Sequence, residues 1–567
     1  MSQLEGAAPF SRLKLFQAGG LFSGKRGRTL RESLTGYAFI LPAAILIFTF
    51  GIFPVGFALY VSLQKWRLRR GDFIGLDNYV VATENLAFIA FFFIAIGGFL
   101  LLRVTINKIR RQADEHGESA WSFALPGLAY AATILSFLQW IIVLLPEVLD
   151  IAEKVIGLER TQALFLRFLG EALLAERVLP AFGLFVVSLL FSAFIASRIA
   201  RENTNPRKIN YQVQFTISWL AGAVAGILAW FTWREVGKAY IAAAETGGEP
   251  GIWSQVITIG SGVILLVISW FVWRSSQTQT SDRSFLFRLL AAILLMLSGW
   301  LLINELPTLL AAGDKDLWSG LKVTIFYSFG TVPFQLAISL FLAMLLFQKM
   351  AGSELFRMLY FIPYVTPFVA SAAIFRQLFS VRPAAPINQI MKLFGIESQQ
   401  WLQEPTGIFK MLAESFQFDL PSWASGPSLA LVVIMIYSIW VYVGYDTVIY
   451  LAGLGNISKE LTEAAEIDGA GRWEVFRHII FPLLSPTTYF LSLIAVIGTF
   501  KAFSHIWIMR HEFSLGTVDT FSVTIFMEFF DKVRYGYASA LAFVLFAIIL
   551  GLTFVNNRIQ GARVFYG

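Results

Sequence analysis

Apolar runs of bilayer-spanning length recur along this chain and constrain its fold more than any other feature. A helix needs about 20 mostly apolar residues to cross the hydrocarbon, and several stretches are longer. The 567 residues are 57% hydrophobic and only 14% charged, more apolar than any soluble domain needs. The chain therefore reads as an all-α, polytopic transmembrane helical bundle of about twelve spans. The 55 Phe, 16 Trp and 17 Tyr suit lipid-facing surfaces and interfacial belts.

The first span is expected over about 37–63. Six follow near 87–103, 123–145, 179–197, 213–232, 252–272 and 286–304, as three successive hairpins. Later spans are expected at 317–347, from Phe356 onward, and at 429–454, 487–509 and 535–555. Between Pro146 and Pro180, the residues Leu164, Phe165, Phe168, Leu169 and Leu173 share one helical face. That pattern fits either a helix lying in the membrane interface or a partly buried loop helix.

Basic residues orient the bundle. The net charge of +7 reads as basic cytoplasmic loops, with no nucleic-acid partner. Arg12, Lys14, Lys25, Arg26, Arg28 and Arg31 place the N-terminal stretch in the cytoplasm. That stretch has no small-residue cleavage site after a short apolar core, so it is not expected to be a signal peptide. The basic links 103–111, 198–208 and 274–288 fit the same side. Lys65, Arg67, Arg69 and Arg70 then fall outside, a local exception to the positive-inside rule.

One polar stretch, 458–482, lies between two long apolar runs. Ser458 is a plausible N-cap, with Glu460 in the first helical turn. Leu461, Ala464 and Ala465 fall on one face. Gly469 can take the left-handed conformation that stops a helix. A second helix would carry Phe476, Ile479 and Ile480 before Pro482 blocks its extension. Small side chains there allow close docking of a helix in another protein's groove. An ordinary amphipathic helix–turn–helix is the plainer reading.

The spacing Glu463-Ala464-Ala465, three residues, Gly469, nine residues, Ile479, one residue, Phe481-Pro482 resembles the EAA loop of ABC-importer permeases, with Phe481 where Leu is usual. Leu41-Pro42, Phe53-Pro54 and Gly75-Leu76-Asp77-Asn78-Tyr79 resemble the opening of the carbohydrate, maltose-type class. Phe356-Arg357, Phe361-Ile362-Pro363, Pro367 and Arg534-Tyr535-Gly536-Tyr537-Ala538-Ser539-Ala540 resemble its later segments. The usual Gly-Gly-Pro is missing from 510–517. The resemblance covers 37–80 and 317–560 and leaves the block between them uncovered.

The resemblance implies a type I importer permease core carrying an inserted block of about six extra helices. The expected division is a cytoplasmic N-terminus at 1–36, a first core helix and outer loop at 37–80, and the inserted block at 81–316. The permease core then spans 317–560, with its coupling loop at 458–482, and a cytoplasmic tail occupies 561–567. The chain would sit in a bacterial inner membrane with both termini cytoplasmic. Implied partners are a second permease subunit, most simply in a heterodimer, an ABC ATPase dimer and an extracytoplasmic substrate-binding protein, which could dock on the loop from Arg382 to Pro427. The ATPase-coupling residues would be Glu463, Ala464, Ala465, Asp468, Gly469, Ala470, Ile479 and Pro482.

No Walker A pattern is present, so ATP would be held by partners. With no cysteine and four His, no metal site, cofactor or catalytic centre is expected. Polar groups inside spans usually face a cavity or a partner. Tyr442, Tyr445, Asp446, Thr499 and Lys501 lie in the two spans flanking the coupling loop, and the matching helices of maltose-type permeases line the sugar path. Tyr442 could equally be a packing residue, and Asp446 and Lys501 could pair with a partner's helices. The spans of the inserted block lack central charges, so the block is expected to be an annex outside the path. The expected function is passage of a sugar or related polyol. The alternatives are an ion-coupled secondary transporter, which predicts coupling acids in two similar halves, and a membrane scaffold with a permease-like core.

Overall fold

The computed structural model describes residues 24–117, 119–159, 161–202, 206–247, 251–277, 282–303, 314–348, 352–421 and 424–560. Arg12, Lys14, Trp423 and the tail 561–567 lie outside them, as does part of two of the basic links. The chain forms two units, Met1–Val61 and Ser62–Gly567. In the first, α1 (Gly24–Ile47) passes through a π turn at Phe48–Ile52 into α2 (Phe53–Ser62). Pro54 lacks the N–H that would bond one turn back, and the helix widens just before it.

The second unit is helical, and among the described residues it forms no sheet, only two isolated bridges. A hairpin over 63–74 leads into α3 (Asp77–Thr83). Six long helices follow with two short ones: α4 (Asn85–Asp114), α5 (Ala124–Leu149), α6 (Ile151–Lys154), α7 (Gln162–Leu173), α8 (Val178–Glu202), α9 (Pro206–Thr246), α10 (Gly251–Ser276) and α11 (Asp282–Ile303). Of the three expected hairpins, only the last is a closely packed pair, α10 with α11. The first four long helices nest instead, α4 on α9 and α5 on α8.

Small residues decide that pairing, because without a hydrophobic drive between helices only close backbone approach gains contact. A Cβ at Gly98 of α4 would stand 2.8 Å from Ala225 Cβ of α9. Between α5 and α8, Thr133 Oγ1 donates to Ser188 O at 3.0 Å, and the Ser136 and Ser188 hydroxyls meet at 2.7 Å. Ser269 donates to Ala292 O at 2.7 Å between α10 and α11. The amphipathic α7 forms as expected, with Thr161 capping its start, Leu164, Phe168 and Leu169 partly buried and Phe165 and Leu173 exposed.

The remaining helices are α12 (Lys315–Phe347), α13 (Ser353–Val365), α14 (Phe368–Leu378), α15 (Pro386–Leu393), α16 (Ile408–Ser415), α17 (Leu429–Gly455), α18 (Lys459–Ile467) and α19 (Arg472–Val475). A π turn at Phe476–Ile480 then leads to α20 (Phe481–Leu483), α21 (Ser485–Phe500), α22 (Ser504–Met509), α23 (Phe521–Phe530) and α24 (Tyr535–Gln560). Pro482 stands two residues past that π turn, as Pro54 does past the first. Ten helices are long and apolar enough to cross a membrane, and two bent pairs bring the number to twelve among the described residues. One pair, α13–α14, bends by 96° at Pro367; the other, Arg472–Leu483 with α21, bends by 62°.

The described residues of the loop 382–427 are folded. Asn388, fully buried, accepts from Trp401 Nε1 at 2.7 Å and donates to Arg382 O at 3.1 Å. At the centre, α17 packs on α12, where Ser339 Oγ donates to Val443 O at 3.0 Å. It also packs on α13, whose Tyr360 carbonyl leaves no room for a side chain at Gly444.

Candidate functional site

Two constellations lie in the second half of the chain. The first is the polar stretch between α17 and α21. The Ser458 side chain accepts from Glu460 N at 3.3 Å and caps α18. Gly469 stops the helix at φ +86°, a conformation that costs a branched residue most. Ala470 N returns to Ala465 O at 2.9 Å. Glu474 Oε2 accepts from Gly471 N at 2.7 Å and starts α19.

The stretch exposes apolar side chains in a polar setting: Leu461 is 49% exposed, Ile467 86% and Trp473 67%. Glu463, Ala464, Asp468 and Gly469 are exposed, while Ala465, Ala470, Ile479 and Pro482 are partly buried. The stretch forms a two-helix corner, and Leu461, Ile467 and Trp473 give it an exposed apolar edge.

The second constellation is a cavity of about 200 Å³ among α12, α13, α17, α21 and α22. Tyr442, Tyr445, Asp446 and Thr499 line it, all named from sequence. Asp446, 3% exposed, accepts from Gln335 Nε2 at 2.5 Å. Thr499 Oγ1 donates to Ser328 Oγ at 2.9 Å. Tyr364 stacks on Tyr445 with centroids 4.6 Å apart and meets Tyr442 edge-on at 6.0 Å.

Sequence reasoning missed the rest of the polar lining: Tyr327, Thr331, Gln335, Tyr364, Ser438 and His505. The Tyr327 hydroxyl joins Ser438 Oγ at 2.5 Å and His505 Nε2 at 2.8 Å. Thr331 Oγ1 is buried on the same wall and has no protein hydrogen-bond partner. The one usable signal was the presence of Gln335 and Thr331 inside a span, since buried amides and hydroxyls are costly in hydrocarbon.

Lys501 corrects the sequence reading. It is exposed at the C-terminal cap of α21 and does not line the cavity. Residues two apart on a helix point away from each other, so Thr499 turning inward sends Lys501 outward. Its charge suits the negative end of α21.

A cavity walled by stacked tyrosines, hydroxyls, an amide and a carboxylate can hold a hydroxyl-rich molecule by ring contact and hydrogen bonds. The described residues contain no group of His, Asp or Glu arranged to hold a metal ion.

The arrangement defines a polytopic membrane transport subunit. Residues 335–562 match the family described as binding-protein-dependent transport system inner membrane component. A probable ABC transporter permease of Bacillus subtilis, YesP, is 30% identical over 258 residues, covering 45% of this chain and 75% of that protein. The arabinooligosaccharide transport permease AraP of Bacillus subtilis is 28% identical over 255 residues, covering 44% and 74%. The sn-glycerol-3-phosphate transport permease UgpA of Rhizobium meliloti is 29% identical over 311 residues, covering 54% and 94%. The chain belongs to the family of binding-protein-dependent ABC-importer permeases and is a multi-pass protein of the cell membrane. The family resemblance read from the EAA spacing is borne out, as is the all-α bundle. The secondary-transporter and scaffold readings gain no support.

Proposed function

We propose that the chain passes a sugar or related polyol through the cavity among α12, α17 and α21, driven by ATP hydrolysis in partner subunits. The observation that carries this reading is the pairing of a tyrosine- and hydroxyl-lined cavity with an exposed two-helix corner, joined by α17 and α21. AraP is named for arabinooligosaccharides and UgpA for sn-glycerol-3-phosphate, and those names support a hydroxyl-rich cargo. The corner 458–482 docks in a groove of the ATPase through Ala464, Gly469 and Ala470, with Glu463 and Asp468 at the rim and Ile479 and Pro482 fixing its base. Movement of the docked corner tilts α17 and α21 and changes access to the cavity.

In this reading a second permease subunit completes the path and an extracytoplasmic binding protein delivers the cargo. Both termini are cytoplasmic, the core from 317 forms the transport body, and the helices of the inserted block stand beside it as an annex. Co-purification tests the coupling element. An ATPase subunit encoded with this chain is expected to elute with it, and Glu463→Arg is expected to abolish that while the chain still inserts in the membrane. Equal recovery of ATPase with Glu463→Arg would refute the docking role.

A further inference from the structure

The exceptional basic loop after the first span forms a fixed hairpin. Lys65 N donates to Asp72 O at 2.9 Å, and Ile74 N to Leu63 O at 2.9 Å. Asn78 Nδ2 of α3 donates to Ser62 O at 2.8 Å and Gln64 O at 3.0 Å. Gly536 N, in the first turn of α24, donates to Trp66 O at 3.0 Å, and the Gln64 carbonyl leaves no room for a Cβ at Gly536. The hairpin lies at the end of the bundle opposite the coupling corner. Tyr489, near the start of α21, bonds Asn557 near the end of α24, whereas the hairpin touches the start of α24.

Its cations are not equally engaged. Arg70 pairs with Asp150 at 2.9 Å. Arg534, beside the hairpin, pairs with Glu528 at 3.1 Å and lies over the Tyr537 ring at 4.2 Å. Lys65 and Arg67 are exposed and form no ion pair among the described residues. They stand on the wall of a polar cavity of about 280 Å³ with Arg534, Asn78 and Asp77.

A second cavity, of about 630 Å³, adjoins it and shares Ile74 and Asp77 as walls. Its remaining lining is mostly apolar, with Leu63, Phe73, Val224, Ile227 and Phe231 among it, and Arg234 at its polar end. From Val224 to Arg234 the groove follows α9 for about 15 Å, at 1.5 Å per residue. A cationic socket beside an apolar groove, beginning three residues beyond a long apolar helix, matches an amphiphile with a negative head.

We propose that these two cavities together hold one anionic phospholipid, its phosphate between Lys65 and Arg67 and an acyl chain along α9. A lipid seated there bridges the first core loop, α24 and the helices of the inserted block. It also explains why cations stand on the side where the charge rule does not place them. Soluble anions fit the socket but leave the groove unused. An acidic protein surface likewise has no use for the groove.

The test is native mass spectrometry of the full-length chain, with its co-purifying subunits, released from nanodiscs of phosphatidylethanolamine carrying one part in ten phosphatidylglycerol. The parent is expected to retain one phosphatidylglycerol. A cation near an anionic headgroup contributes roughly a fivefold factor in affinity, so Lys65→Gln with Arg67→Gln should weaken retention about 25-fold. Val224→Trp, which fills the groove from an exposed position, should weaken it as well. Arg69→Gln, on the same hairpin but lining neither cavity, should leave it unchanged and controls for folding.

Equal retention in every variant would show annular lipid only and overturn the proposal. Equal retention of phosphatidylethanolamine would do the same. Displacement of the lipid by excess inorganic phosphate would assign the socket to a soluble anion. Loss of binding-protein affinity in the double variant, with lipid retention unchanged, would make the hairpin a protein-docking surface instead.

Discussion

The Gln335 side-chain amide donates to Asp446 Oδ2 at 2.5 Å, tying α12 to α17 on the wall of the cavity. Both residues are buried, Gln335 at 3% and Asp446 at 3% exposure. Truncating one partner leaves the other's polar group unsatisfied, which costs about 1–3 kcal/mol.

Asp446→Ala is therefore expected to lower thermal stability by about that amount and to reduce uptake without loss of the complex. Asp446→Asn keeps an acceptor oxygen for Gln335 and should hold near-parental stability while still changing uptake. Thermal unfolding and uptake measured on both variants separate the two effects. Parental uptake by both would leave Asp446 a packing residue.

Gly469→Val places a branched side chain at φ +86°. Backbone strain of this kind costs about 1–3 kcal/mol locally, and it falls on the proposed docking corner. Membrane insertion should be normal and ATP-driven uptake should fall sharply. A variant that assembles and transports like the parent would remove the corner's proposed role.

Gly98→Leu tests the nested pairing of α4 and α9. The first atom of the new side chain already meets Ala225, and overpacking of this kind costs about 1–3 kcal/mol. The expected result is faster proteolysis within 103–111, the basic end of α4, with unchanged ATPase recovery. Unchanged proteolysis would show that α4 and α9 tolerate separation.

Deletion of 86–305, with a short linker from Glu84 to Thr308, tests the annex. Ala82, fully buried among Leu317, Phe521 and Tyr537, stays in place. ATPase recovery with at least partial uptake is expected. An assembled core that has lost all substrate binding would put the block in the path.

The spans were legible because hydrocarbon thickness sets a minimum apolar length, and each expected run holds a helix. Helix interruptions were less legible. The expected span 487–509 breaks at Lys501–Phe503, between α21 and α22, and apolar composition carries no signal for that break. The nested pairing of α4 with α9 depends on which glycine meets which alanine, a tertiary match invisible to span counting. Part of the cavity was legible for a similar reason: Tyr442, Tyr445, Asp446 and Thr499 lie in the spans flanking the polar stretch, but Tyr327, Gln335 and His505 reach the same space only through packing of α12 and α22. The Ser458 cap and the left-handed Gly469 were readable because both are local.

The most direct test is uptake into proteoliposomes containing the full complex, with an oligosaccharide-loaded binding protein outside and ATP inside. The account predicts accumulation that requires both ATP and the binding protein and that persists when ionophores collapse proton and sodium gradients. Uptake that proceeds without ATP and stops when those gradients collapse would contradict it.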